Sequence, residues 1–172
     1  MMILGTIRKY AIGLVMIALI APALRPHANG AAVLKAEDLT KLFPPSVYYC
    51  GQVAPAQLRN SGGVKFADGH YVMASLVDTS GYSSGIAAKY QGFFIAEVAI
   101  KIEGRSLAAG EYGIGFISGD KFVVTDVGGH DLFTVRSSRD ASMQRPRPLE
   151  VRADPGGGFR LYAGRQYVRF VR

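Results

Sequence analysis

Short apolar runs with a period of two, each closed by a glycine-bearing pair, constrain this chain more than any other feature. The closing groups are Asp68-Gly69, Glu103-Gly104, Gly119-Asp120, Gly128-Gly129, Gly156-Gly157-Gly158 and Gly164-Arg165. Such groups supply the positive φ angles that tight hairpins require. Parallel neighbours need a crossover of about a dozen residues or more, so links this short make neighbouring strands antiparallel. The runs between them are 64–66, 70–77, 93–102, 111–117, 121–126, 132–137, 149–153, 159–163 and 166–171, with 47–53 as a further candidate.

The alternation separates two faces. In 93–102 one face reads Phe94, Ala96, Val98, Ile100, Ile102 and is wholly apolar. The other reads Phe93, Ile95, Glu97, Ala99, Lys101 and turns polar along its length. One dry face and one partly wet face is the pattern of an antiparallel sheet. Helical composition is confined to 35–42, stopped by Pro44-Pro45, and to 83–90. The expected fold is therefore all-β: one antiparallel β-sandwich or small closed barrel of about eight to ten short strands, with one or two short helices. Segment 138–148, where Pro146 and Pro148 alternate with arginines, reads as a long mobile loop.

The first thirty residues read as a signal peptide rather than as part of the domain. Arg8 and Lys9 precede a thirteen-residue apolar run, Ala11 to Ala23, with small residues for cleavage after Ala23 or Gly30. A permanent span needs about 20 apolar residues, so an uncleaved anchor is the secondary reading. The expected product is residues 31–172, a single β domain exported to the periplasm or the medium. Cys50 is the chain's one cysteine, so no internal disulfide forms. It reads as a small buried hydrophobe, with a reactive thiol or an intermolecular bridge as alternatives.

Charge is distributed unevenly. Residues 31–135 hold eight bases and ten acids, whereas 136–172 hold nine bases, all arginine, and three acids. In the last hairpin Arg165, Tyr167 and Arg169 alternate onto one face, and Arg160 with Tyr162 stands beside them. Guanidinium groups suit bidentate contact with phosphate or carboxylate, and tyrosine offers a stacking surface. These five residues are the candidate binding site, with an anionic glycan or lipid headgroup as the ligand they would suit. A net charge of +4 after leader removal is modest for a dedicated polyanion binder, and nucleic acid is not an expected partner. The competing reading is that these arginines wet an exposed face and pair with its carboxylates.

Catalytic patterns are few. Gly81-Tyr82-Ser83-Ser84-Gly85 fits G-x-S-x-G, with His130 downstream, but a nucleophile elbow belongs to a mostly parallel sheet. His70 and His130 sit at glycine-rich turns beside Asp68 and Asp126, and would make a metal site only if the two hairpins met. No phosphate-cradling loop is present in the sequence, and no cofactor is expected. Gly113 and Gly115 leave a bare stripe on one strand face, which reads as close packing or as a site for a ligand or a pairing chain. The expected function is a non-catalytic envelope module binding a ligand or partner through its sheet face or rim loops. A small Ser83 hydrolase, a His70/His130 metal site and a structural part of an envelope assembly are the alternatives.

Leu107-Ala108-Ala109-Gly110-Glu111-Tyr112 has the form L-x-A-G-x-Y entering a strand. It resembles a segment found in uncharacterised exported bacterial β domains. The resemblance implies an exported β domain and transfers no functional residue.

Overall fold

Positive φ angles fall at the glycine-bearing turns, and two of the pairs carry them at both positions. Glu103-Gly104 and Gly119-Asp120 do so, at 45° and 81° and at 76° and 52°. Positive φ at both central residues is the type I′ signature, whose twist matches that of the flanking strands. The computed structural model describes residues 30–172, so the proposed leader and its cleavage site lie almost wholly outside the described residues.

In chain order the strands are β1 (Ala32–Leu34), β2 (Ser46–Tyr49), β3 (Gln52–Lys65), β4 (Tyr71–Val77), β5 (Gly92–Ala96), β6 (Ile100–Ile102) and β7 (Arg105–Leu107). They continue as β8 (Gly110–Ile117), β9 (Lys121–Thr125), β10 (Asp131–Arg136), β11 (Ser138–Arg139), β12 (Glu150–Ala153), β13 (Phe159–Ala163) and β14 (Gln166–Val171). Two single-turn helices, α1 (Ala36–Leu39) and α2 (Ser84–Ala87), complete the set. The first sheet runs β1-β3-β4-β5-β8-β9-β10, with β2 paired to β3; the second runs β12-β13-β14-β6-β7, with β11 paired to β14. Every pairing is antiparallel. The two sheets form a sandwich and do not close into a barrel. No helix among the described residues is long and apolar enough to cross a membrane.

The principal core lies between the sheets. Val72, Ala74, Phe94, Ile114, Phe122 and Val124 of the first meet Ile102, Phe159, Leu161, Val168 and Phe170 of the second. Each fully buried large side chain contributes about 1.5–3 kcal/mol. A second cluster covers the outer face of the first sheet. There Leu39, Phe43, Val47, Tyr49, Tyr82 and Tyr90 pack onto Met73, Val77 and Phe93. The face of 93–102 expected to be partly wet is therefore dry at Phe93, because the β2 hairpin and both helices lie over it.

Three boundaries differ from expectation. Segment 93–102 is two strands in two sheets: β5 ends at Ala96, and β6 begins at Ile100 beside β14. The crossing is fixed at Glu97, whose N–H donates to the Tyr71 carbonyl and whose carboxylate accepts the Tyr71 N–H at 2.8 Å. Segment 47–53 is a hairpin, because Cys50 and Gly51 both adopt positive φ, 47° and 77°. Segment 138–148 is docked on the last hairpin: Met143 is buried, Asp140 N–H donates to the Arg165 carbonyl, and Gly164 N–H donates to the Arg147 carbonyl.

Candidate functional site

Register places the arginine-rich residues side by side. Arg160 lies opposite Arg169, Tyr162 opposite Tyr167, and on the other flank Arg152 lies opposite Arg160 and Glu150 opposite Tyr162. Directly opposed residues share a face, so these six side chains form one patch on the exterior of the second sheet. Four of the five expected residues are thus brought together. Arg165 sits in the turn, where its Nε donates to the Met143 carbonyl at 3.1 Å.

The patch is largely closed on itself. Arg160 donates to Asp154 at 3.0 Å and to the Tyr162 hydroxyl at 3.3 Å, and its guanidinium lies 4.5 Å from the Tyr167 ring centroid. The Tyr162 hydroxyl in turn donates to Asp140 at 3.2 Å. Burial alone would raise the Asp154 carboxyl, but the Gly156 N–H and the Arg160 guanidinium outweigh it and hold it below the usual range. Arg160 is held protonated by its bonds to Tyr162 and Asp154, which overcome its own burial. Arg152 pairs with Glu150 at 2.7 Å and Arg169 with Glu103 at 3.5 Å. Tyr162 is only 2% exposed, so it offers no open ring for stacking. Arg169 keeps the most open guanidinium of these three ion pairs, with 60% of its side chain exposed.

Uncommitted positive charge lies at the neighbouring edge. A groove of about 410 Å³ runs between β1 and β12, where the two sheets come together along one side. Gly62 makes this approach possible: a Cβ there would stand 2.6 Å from the Val151 nitrogen. The groove is lined by apolar Val33, Leu34, Ala36 and Ala153, and by charged Lys35, Arg147, Arg152 and Glu150. Arg152 is paired, but Lys35 and Arg147 have no carboxylate partner among the described residues. Arg152 also stands 5.5 Å from the Tyr162 ring centroid, which joins the groove to the arginine–tyrosine patch. Sequence reading missed Lys35 and Arg147 as a pair, since 112 positions separate them and only the sandwich edge unites them.

The other candidates resolve simply. Ser83 is the exposed N-cap of α2, and its side chain makes no cap hydrogen bond. His130 Nδ1 faces Asp126 at 3.0 Å and His70 Nδ1 faces Asp68 at 3.2 Å, each on its own turn. The two turns lie at opposite ends of β3: Cys50, just before β3, donates its N–H to Val127, whereas His70 accepts from Phe66, just after it. The hairpins thus do not meet, contrary to what a shared metal site requires. No group of three or more His, Cys, Asp or Glu in metal-holding geometry occurs among the described residues. Cys50 is half-buried, with its sulfur packed against Gly129.

Gly113 and Gly115 are filled from within the chain. A Cβ at Gly113 would strike the Tyr49 ring and Thr125 Oγ1 at 2.5 Å, and one at Gly115 would occupy the Lys89 carbonyl oxygen. Because β8 lies between β5 and β9, the glycine stripe is not a pairing edge. Comparison with family models, curated proteins and solved structures gives no match to this chain.

Proposed function

We propose that this is an exported, non-catalytic β-sandwich module that binds an anionic partner at the β1/β12 rim of the second sheet. One observation carries the reading: Lys35 and Arg147 line a groove with apolar walls and have no carboxylate of their own among the described residues. The arginine–tyrosine face adjoins this rim through Arg152 and lies outside the groove, where Arg160 and Tyr162 support the sheet. Grooves of this size fall within the range of ligand sites. Export is supported by the basic, apolar and small-residue sequence of the leader. The L-x-A-G-x-Y likeness supports the same address. Here Tyr112 folds back over Gly110 and donates to the Ala108 carbonyl at 3.1 Å, which ties the turn entering β8.

The test is binding of the full chain to anionic ligands across ionic strength. Affinity is expected to fall as salt rises from 0.05 to 0.5 M (order-of-magnitude settings, roughly bracketing a Debye length of about 10 Å). The charge reversals Lys35→Glu and Arg147→Glu together should remove it. Salt-independent binding, or retention of affinity by the double variant, would overturn the reading.

A further inference from the structure

We infer that the partner taken by the β1/β12 groove is an extended acidic peptide segment, added as a strand along the free edge of β1. This rests on the proposed anionic-partner reading and names the ligand class for the same site. In the first sheet β1 is terminal, paired with β3 through Ala32, Val33 and Leu34 and with no strand on its other side among the described residues. In the second sheet β12 is likewise terminal, so the groove lies between two strand edges. A strand edge carries a row of unpaired N–H and C=O groups, the template on which an extended peptide pairs.

Charge sets the side-chain chemistry. Lys35, Arg147 and Arg152 are exposed along the groove against one acid, Glu150, which Arg152 already engages. A strand alternating apolar and acidic residues would set its apolar side chains against Val33, Leu34 and Ala153. Its carboxylates would reach Lys35 and Arg147. Rival anions fit the walls less well. No aromatic residue lines the groove, so a sugar ring has nothing to stack on. Val33 in the groove wall is also 38% exposed, which leaves an acyl chain in contact with water.

Three probes separate the possibilities: a labelled peptide of alternating valine and glutamate, heparin, and phosphatidylglycerol vesicles, each titrated with the full chain. The peptide is expected to bind, and to lose affinity about tenfold or more with Lys35→Glu plus Arg147→Glu. A peptide of the same sequence with alternate backbone nitrogens methylated keeps its charges but loses its main-chain donors, and should bind about tenfold more weakly. Circular dichroism of the double variant should match the parent, which separates lost binding from lost fold. Equal binding of the methylated peptide would overturn strand addition. Binding of heparin or vesicles without the peptide would overturn this inference and leave the anionic-partner reading standing. Binding of none of the three would overturn both.

Discussion

The outer faces of the two sheets use the same residue type in opposite ways. On the first sheet Tyr49 and Tyr90 stack with ring centroids 3.6 Å apart, and Tyr82 meets both edge-on, beneath the β2 hairpin and α2. On the second sheet Tyr162 and Tyr167 lie 5.1 Å apart beneath arginines. One face is covered by extra chain, the other by a charged ladder whose arginines come from the strands and most of whose acids come from adjoining turns and loops. The first satisfies two of its three buried tyrosine hydroxyls locally: Tyr82 donates to the Tyr49 carbonyl and Tyr49 bonds Thr125, whereas Tyr90 has no partner among the described residues. The second satisfies its polar atoms through Asp154–Arg160–Tyr162–Asp140, with Arg160 Nε as the exception. A period-two pattern makes a half-wet sheet face possible, and what lies on that face decides whether it stays wet.

If chain covers the first face, filling its glycine stripe should be the most damaging change. Gly115→Ala should cost about 3 kcal/mol in denaturant unfolding, since its Cβ meets a backbone carbonyl rather than the end of a flexible side chain. Gly85→Ala in α2 meets nothing within 4 Å and should be neutral or slightly stabilising. Equal effects at the two sites would break the comparison.

On the second face the corresponding change is Asp154→Ala. It strands Arg160, whose side chain is 22% exposed, and should cost about 2–3 kcal/mol. The pH dependence has a definite sign. The folded Asp154 carboxyl titrates below its unfolded value, so its contribution is present above the ordinary carboxylate range and is lost as pH falls through the folded value. Acid unfolding of Asp154→Ala should accordingly show a flatter acid limb than the parent.

The first face carries the opposite pH signature. Burial pushes Tyr49 up to about 12, so its contribution is complete below its unfolded value and is lost as pH rises toward the folded one. Alkaline unfolding should therefore set in from about pH 10, and Tyr49→Phe should blunt it. A parent and variant with superimposable alkaline limbs would count against this assignment.

Much of this architecture could be read in the sequence, and the parts that could not share a cause. The turns were legible because a positive φ at Gly69, Gly104 or Gly164 leaves a glycine in the chain at that spot. Strand neighbours joined by those turns were legible with them. Sheet membership was not: β5 and β6 read as one run, since Phe94, Ala96, Ile100 and Ile102 all enter the same core although two sheets present them. The arginine–tyrosine patch was legible because its register follows from one hairpin. That its arginines pair with carboxylates was the competing reading; which carboxylates do so was not legible, because Asp140, Glu103 and Asp154 come from separate turns and loops. The groove was illegible for the same reason.

Two smaller effects sharpen the contrast. Tyr90→Phe removes a fully buried hydroxyl with no partner among the described residues and should stabilise by about 1 kcal/mol, read as a raised unfolding midpoint. Arg169→Ala breaks an exposed pair with Glu103 and should change stability by less than about 0.5 kcal/mol.

The most direct test of where the partner sits is an amide-resolved titration of the full chain with the alternating valine–glutamate peptide. The account predicts chemical-shift changes and slowed amide exchange confined to β1, Lys35 and the 147–153 segment, with the Arg160–Arg169 face unmoved. Changes centred on Arg160, Tyr167 and Arg169, with β1 silent, would contradict it.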